Sequence, residues 1–177
     1  MIVTLAVVGI FSGVTLVLVH NATTSRIEAN TREAMETAIK DIFPDTGQIK
    51  STREKGFFQI TDKDGKLLGY AIIAQGNGYQ GVIQMIVGVD PAISKMEGME
   101  VLESQETPGL GAEIANEDFR KQFVGLSLAH PIEYLKNRKP DQPYQIEAIT
   151  GATISSRAVV SILNRRIGDI RKFLKGG

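Results

Sequence analysis

Residues 1–19 (MIVTLAVVGIFSGVTLVLV) carry no charged side chain. At the α-helical rise this run spans roughly 28 Å, close to the hydrocarbon thickness of a bilayer, so the pattern predicts a membrane-spanning helix. Thr4, Ser12 and Thr15 are tolerable there, because their hydroxyls can bond back to helix carbonyls. Gly9 and Gly13 form a small-xxx-small stripe that allows close approach of another membrane helix. The run is longer than the apolar region of a signal peptide, no basic side chain precedes it, and no Ala-x-Ala site follows it, so it reads as a retained anchor. Arg26 and Arg32 follow the run. The positive-inside rule applied to them alone would place the rest of the chain inside, and topology is not taken from these charges.

Beyond the anchor the period changes. In residues 26–43, Ile27, Met35, Ala38, Ile39 and Ile42 recur near helical spacing between charges, predicting a helix that Pro44 ends. Residues 57–61 and 66–75 are β-rich runs separated by Asp62-Lys63-Asp64-Gly65, a hairpin with Gly where positive φ is wanted. Residues 76–81 form a glycine-rich turn and 82–89 a further strand, broken by Asp90-Pro91. Residues 93–104 continue the β pattern, with Gly98 at a bulge position. Asn116 suits the cap of a short helix through Phe123, with Glu117 and Asp118 in its first turn. Residues 144–149 form the last predicted strand. Ser155 or Ser156 opens a final helix, with Val159, Val160, Leu163, Ile167, Ile170 and Leu174 on one face. The expected class is α+β: an antiparallel sheet flanked by helices, preceded by a single N-terminal transmembrane helix. The expected organisation is an anchor at 1–22, a connecting helix at 23–45 and one domain at 46–177.

Composition narrows the chemistry. Lys+Arg and Asp+Glu are 20 each, so no basic excess points to nucleic acid. The absence of cysteine removes disulfides and thiolate-held zinc or iron–sulfur centres. His20 and His130 are too few for a haem or a multi-histidine site, and no metal site is assigned. Asp62, Asp64 and Gly65 bear only a faint likeness to a calcium loop, since the downstream Glu and other ligands are missing.

Two segments carry candidate chemistry. Thr150-Gly151-Ala152-Thr153-Ile154-Ser155-Ser156 lies between a strand and a helix start, where free N–H groups and the positive dipole end favour an anion. Gly151 and Ala152 let the backbone approach a ligand closely, and Thr153 and the serines offer hydroxyls. Taken alone, such a segment is usually an N-cap, and it lacks the Gly-Lys-Ser/Thr ending of a Walker loop. Glu106-Thr107-Pro108-Gly109-Leu110-Gly111 follows a strand and can present Leu110 and backbone groups to a flat ligand, though on composition it is an ordinary Pro-Gly turn.

The two motifs together, in this order behind an anchor, resemble the FMN-binding domain of the G subunit of the Rnf electron-transport complex, whose relative is the C subunit of the sodium-translocating NADH:quinone reductase. The resemblance covers nearly the whole chain. It implies FMN attached covalently by its phosphate to Thr153, with Thr150, Gly151, Ala152, Ile154 and Ser155 around it. Glu106, Thr107, Gly109, Leu110 and Gly111 would lie near the flavin, Leu110 packing on the ring and Thr107 offering a polar contact. Glu147 stands where the family's flavinylation pattern has Asp, and is the residue implied for recognition by a flavin transferase.

The resemblance further implies an electron-relay subunit of an ion-translocating ferredoxin:NAD oxidoreductase. Its partners would be other membrane, iron–sulfur and flavin subunits, with the soluble domain on the extracytoplasmic side of a bacterial or archaeal cell membrane. The isoalloxazine supplies the redox chemistry and the protein supplies attachment and orientation, so no catalytic side chain is assigned. A membrane-anchored FMN-binding sensor or regulatory domain is the alternative, and a structural domain without flavin a third. Tyr79 suits either stacking on an aromatic ligand or half-exposed packing. Arg120 and Lys121 read as a solvated helix face before they read as partners of flavin charge, and His130 reads as a loop residue.

Overall fold

The computed structural model describes residues 1–175, without the side chains of 19–29 and 175. The expectations for His20, Arg26 and Ile27 therefore fall on side chains outside the description. The chain divides into two compact units, residues 1–36 and 37–177.

The first unit is helical throughout, being the larger part of α1 (Ile2–Ile42). Its described apolar side chains face outward: Ile2 is 86%, Leu5 72%, Phe11 73% and Leu16 73% exposed. The Thr15 hydroxyl donates to the Phe11 carbonyl at 2.8 Å, which absorbs its polarity within the helix. Among the described residues, no helix is long and apolar enough to cross a membrane.

The second unit holds a five-stranded antiparallel sheet in simple chain order: β1 (Gln48–Ser51), β2 (Phe57–Thr61), β3 (Leu67–Asn77), β4 (Val82–Val89) and β5 (Met96–Ser104). The β2–β3 turn is closed as its residue types require. Gly65 sits at φ +82°, and Asp62 Oδ1 accepts from the N–H groups of Asp64 and Lys66 at 2.9 and 2.8 Å. A second, parallel pair joins β6 (Glu133–Leu135) to β7 (Gln145–Glu147). Short helical turns lie between the two sheets: a 3₁₀ turn at Gly111–Ala115, α2 (Glu117–Arg120) and a second 3₁₀ turn at Lys121–Phe123.

The long final helix, α3 (Thr153–Lys175), lays Val159, Ile162, Leu163, Ile167 and Ile170 against Phe57, Ile72, Met85 and Val87 of the sheet. Burial of each such side chain contributes about 1.5–3 kcal/mol. Arg166 fixes the helix to the central strand and to the β1–β2 connection, donating to the Ile73 carbonyl at 3.1 Å and pairing with Glu54 at 2.9 Å. The opposite face is flattened by glycine. A Cβ at Gly88 would collide with Ile42, and one at Gly69 would lie 3.1 Å from Phe43. The last turn of α1 and Phe43 seat in this lane, with Ile39 and Phe43 buried.

The strand expected from residue 93 begins at Met96. The Asp90 carboxylate accepts the Ser94 and Lys95 N–H groups at 2.6 and 2.9 Å and the Ser94 hydroxyl at 2.7 Å, so residues 90–95 form a turn. Ile93 is held there at φ +51°, and Arg171 of α3 donates to its carbonyl at 2.8 Å. Burial works against the Asp90 charge, but these hydrogen bonds outweigh it and hold the carboxyl below the ordinary aspartate range.

Candidate functional site

β7 ends at Glu147, and residues 148–152 turn the chain into α3. Gly151 takes φ +84°, a left-handed conformation that a Cβ would strain. The helix opens at Thr153, two residues before the serines expected to open it. Both serines instead point inward and are buried. The Ser156 hydroxyl accepts from the Ile149 N–H at 3.0 Å and donates to the Ala152 carbonyl at 3.1 Å, closing the turn on itself.

Ser155 reaches the other motif. Its hydroxyl donates to Glu106 Oε2 at 2.5 Å, and Glu106 Oε1 accepts the N–H groups of Tyr79 and Gln80 at 2.6 and 3.1 Å. Glu106 is buried and thus ties three segments together: the glycine-rich turn after β3, the loop after β5 and the first turn of α3. Two glycines permit the closeness. A Cβ at Gly111 would lie 2.6 Å from Ser155 Oγ, and one at Gly78 would meet Ile83 Cδ1 at 2.7 Å and strike the Glu106 carboxylate.

The loop after β5 folds over the turn before α3. Gly109 sits at φ +72°, and the Thr107 carbonyl accepts from the N–H groups of Leu110 and Ala112 at 3.2 and 3.0 Å. Leu110 Cδ2 lies 3.5 Å from where a Gly151 Cβ would be. Leu110 remains 50% exposed, Ile154 47% and Tyr79 63%. An apolar platform therefore surrounds the start of α3.

Thr153 opens this helix half-buried, and its side chain makes no hydrogen bond among the described residues. The first N–H groups of an α-helix have no intrahelical acceptor. That of Ser156 takes the Ala152 carbonyl at 3.0 Å, and those of Thr153, Ile154 and Ser155 remain for an outside anion. Ala152, in the capping position, has no side-chain oxygen to occupy them. This donor set fits a phosphate ester on the Thr153 hydroxyl, and the exposed apolar platform fits a flat aromatic ring.

The two motifs are thus brought together. Glu106 and the hydroxyl of Ser155 bond each other, and Gly111 is buried beside them. Thr150 and Gly151 are exposed, Ala152 is buried, and Thr107 is half-buried. Glu147 lies outside the junction, its N–H donating to Gln122 Oε1 at 2.7 Å. It lines a cleft of about 610 Å³ with Asp118, Lys139 and Thr150. Arg120 and Lys121 pair with Glu100 and Glu117. His130 is exposed, its ring 5.0 Å from that of Tyr144. Gln122, which holds Glu147 by its backbone, carries no sequence signal, since a glutamine in a short helix reads as surface.

A model of the FMN-binding domain family matches residues 78–168, more than half of the chain. The chain is 31% identical over 176 residues to the G subunit of the ion-translocating oxidoreductase complex of Methanosarcina acetivorans, covering 94% of this chain and 90% of that one. It is 26% identical over 165 residues to the G subunit of the proton-translocating ferredoxin:NAD(+) oxidoreductase complex of Clostridium ljungdahlii, covering 93% and 87%. Among solved structures, the C subunit of the Na(+)-translocating NADH-quinone reductase of Parabacteroides distasonis superimposes with a TM-score of 0.59 at 27% identity over 67% of this chain. The match spans 61% of that protein's length. The loop after β5, the glycine turn and the Thr153 helix start all fall inside the matched region, and the chain belongs to the FMN-binding domain family and, within it, to the Rnf-type G subunits of ion-translocating redox complexes.

Proposed function

We propose that this chain is the electron-relay subunit of a membrane-bound ion-translocating ferredoxin:NAD oxidoreductase complex, with FMN joined by a phosphoester bond to Thr153. One observation carries the attachment: the Thr153 hydroxyl, at a helix start preceded by Ala152, makes no hydrogen bond among the described residues and is not enclosed, whereas the hydroxyls of Ser155 and Ser156 are buried and engaged.

Bound there, FMN supplies one- and two-electron chemistry that no side chain of this cysteine-free protein can perform. The chain's own contribution is positional. The N–H groups of Thr153, Ile154 and Ser155 would hold the phosphate, and Leu110, Ile154 and Tyr79 would offer apolar surface to the ring. Glu106 holds the three supporting segments in register. A tether keeps the carrier within reach of its partners, which would be the membrane, iron–sulfur and flavin subunits of the complex. Attachment requires a separate flavin transferase, and Glu147, beside the cleft containing Thr150, is the residue proposed for its recognition.

Membrane association belongs to the same proposal, with residues 1–22 as anchor, 23–45 as connector and 46–177 as an extracytoplasmic flavin domain. A run of exposed apolar side chains from Met1 to Leu18 is far larger than the patches that water-facing helices tolerate. A bilayer, or a helix within one, is its natural surroundings.

The test is fluorescence under ultraviolet light of the denatured protein on a gel, native chain beside Thr153→Val, both produced with a flavin transferase. A bright native band and a dark variant band are expected. Two dark bands would overturn covalent attachment, and two bright bands would move it to another hydroxyl.

A further inference from the structure

We infer that the Arg157 guanidinium clamps the phosphate carried by Thr153, which makes it a positioning residue for the flavin; the inference rests on the attachment proposed above. Thr153 and Arg157 are four residues apart on α3, so their Cβ atoms lie roughly 5–6 Å from each other on one face. Helical side chains lean toward the N-terminus. Leaning that way, the long Arg157 side chain would span the turn that presents the Thr153 hydroxyl.

Arg157 is also uncommitted. It is exposed and makes no hydrogen bond or ion pair among the described residues. Three other arginines of the domain are engaged: Arg120 with Glu100, Arg166 with Glu54 and Ile73, and Arg171 with the carbonyls of Ile93 and Leu128. Glu133 lines one of the clefts beside Arg157, but its carboxylate accepts from Gln145 at 3.1 Å. Glu106 is enclosed and satisfied.

A neutral threonine hydroxyl offers a guanidinium little. A phosphodiester offers a full charge and two free oxygens, which match the planar fork. The helix N–H groups approach the phosphate from one side and Arg157 from the side of the following turn. Two contacts in different directions restrict the swing of a group otherwise tethered through a few single bonds.

The helix supplies its own control. Arg165 is likewise exposed and lines the same cleft of about 250 Å³ as Arg157, with Ile154, Ala158 and Gly78. Twelve residues beyond Thr153, it sits roughly 18 Å along the helix axis, out of reach of the phosphate.

The experiment uses the full chain in detergent, produced with a flavin transferase, as native, Arg157→Gln, Arg157→Lys and Arg165→Gln. Gel fluorescence measures loading, and urea midpoints confirm equal folding. The decisive readouts are the ³¹P spectrum of the phosphodiester and the polarisation of flavin fluorescence. In Arg157→Gln the ³¹P resonance should shift and sharpen and the polarisation fall, while Arg157→Lys retains part of the native signal and Arg165→Gln all of it. Salt should carry the native protein toward Arg157→Gln as the screening length falls from roughly 30 Å at 0.01 M to 3 Å at 1 M. A bright native band with identical ³¹P and polarisation signals in native and Arg157→Gln would overturn the clamp alone and leave Arg157 to an acidic partner surface. A dark native band would overturn the attachment, and the clamp with it.

Discussion

The hydroxyl of Ser155 donates to the carboxylate of Glu106 across 2.5 Å, joining the first turn of α3 to a loop 49 residues earlier in the chain. Both groups are buried, and the second carboxylate oxygen is occupied by two backbone N–H groups. Glu106→Ala strands one buried and two part-buried donors and should cost about 2–3 kcal/mol, whereas Glu106→Gln retains an acceptor and should cost about 1 kcal/mol. Urea unfolding of the full chain in detergent reads both. Equal midpoints for native and Glu106→Ala would show that the junction contributes nothing.

The same junction makes its glycines intolerant. Gly111→Ala directs a methyl at Ser155 Oγ, and Gly78→Ala directs one at the Glu106 carboxylate. The neighbours are enclosed and cannot retreat freely, so each change should lower stability by about 1–3 kcal/mol. Gly125→Ala is the comparison. Its φ of +75° carries backbone strain, but nothing lies within 4 Å of the added atom. Gly78 and Gly111 lie outside the left-handed region, so collision alone acts there, and native-like midpoints for Gly111→Ala and Gly78→Ala would exclude it.

How far this arrangement could be read from the chain differs by element. The β2–β3 hairpin was legible because Asp62-Lys63-Asp64-Gly65 states both the turn and its positive φ, and α3 because its apolar positions repeat over many turns. β1 and β6 have four and three residues, too few for alternation to register, whereas β7 falls inside the strand expected at 144–149 and is shorter than it. Asn116 does precede α2, but its amide donates to Glu113 and does not cap the helix. The start of α3 was displaced by local reasoning. Ser155 and Ser156 look like caps, and only the tertiary partners Glu106 and Ile149 turn them inward. The pairing of the two motifs came from resemblance. The hydrogen bonds of Glu106 within the protein depend on contacts 26 to 49 residues away that no local pattern encodes.

Asp90 gives the fold an acid limb. Its folded carboxyl lies below the ordinary value of 3.8, so its stabilisation is complete above that value and is lost as pH falls through the lower folded one. Asp90→Asn removes a charged acceptor of three hydrogen bonds and should cost about 1–2 kcal/mol at neutral pH. The gap between native and variant should narrow once pH falls below 3.8. Parallel pH–stability curves for the two proteins would exclude this role.

The exposed apolar stretch of α1 should decide where the protein is found. A chain lacking residues 1–22 should partition with the aqueous fraction after cell disruption and keep the unfolding midpoint of its domain, because the second unit begins at Thr37. The full chain should remain in the membrane pellet through a high-salt wash. Its release by salt alone would point to a charged contact in place of an apolar one.

Thr153 separates stability from function more sharply than any other position. Its side chain is half-buried and makes no hydrogen bond among the described residues, so Thr153→Val should change unfolding free energy by no more than about 0.5 kcal/mol, the range of ordinary surface substitutions. It should nevertheless abolish covalent flavin, since the hydroxyl that would bear the phosphate is gone. Thr153→Ser restores the hydroxyl without the methyl and should recover a fluorescent band. Ser155→Ala has the reverse profile: it leaves Thr153 untouched but removes the donor to Glu106, and should lower stability by about 1–2 kcal/mol while flavin still attaches. If instead Ser155→Ala were dark and Thr153→Val bright, the phosphate would belong on Ser155, and the buried hydrogen bond to Glu106 would have to open before attachment.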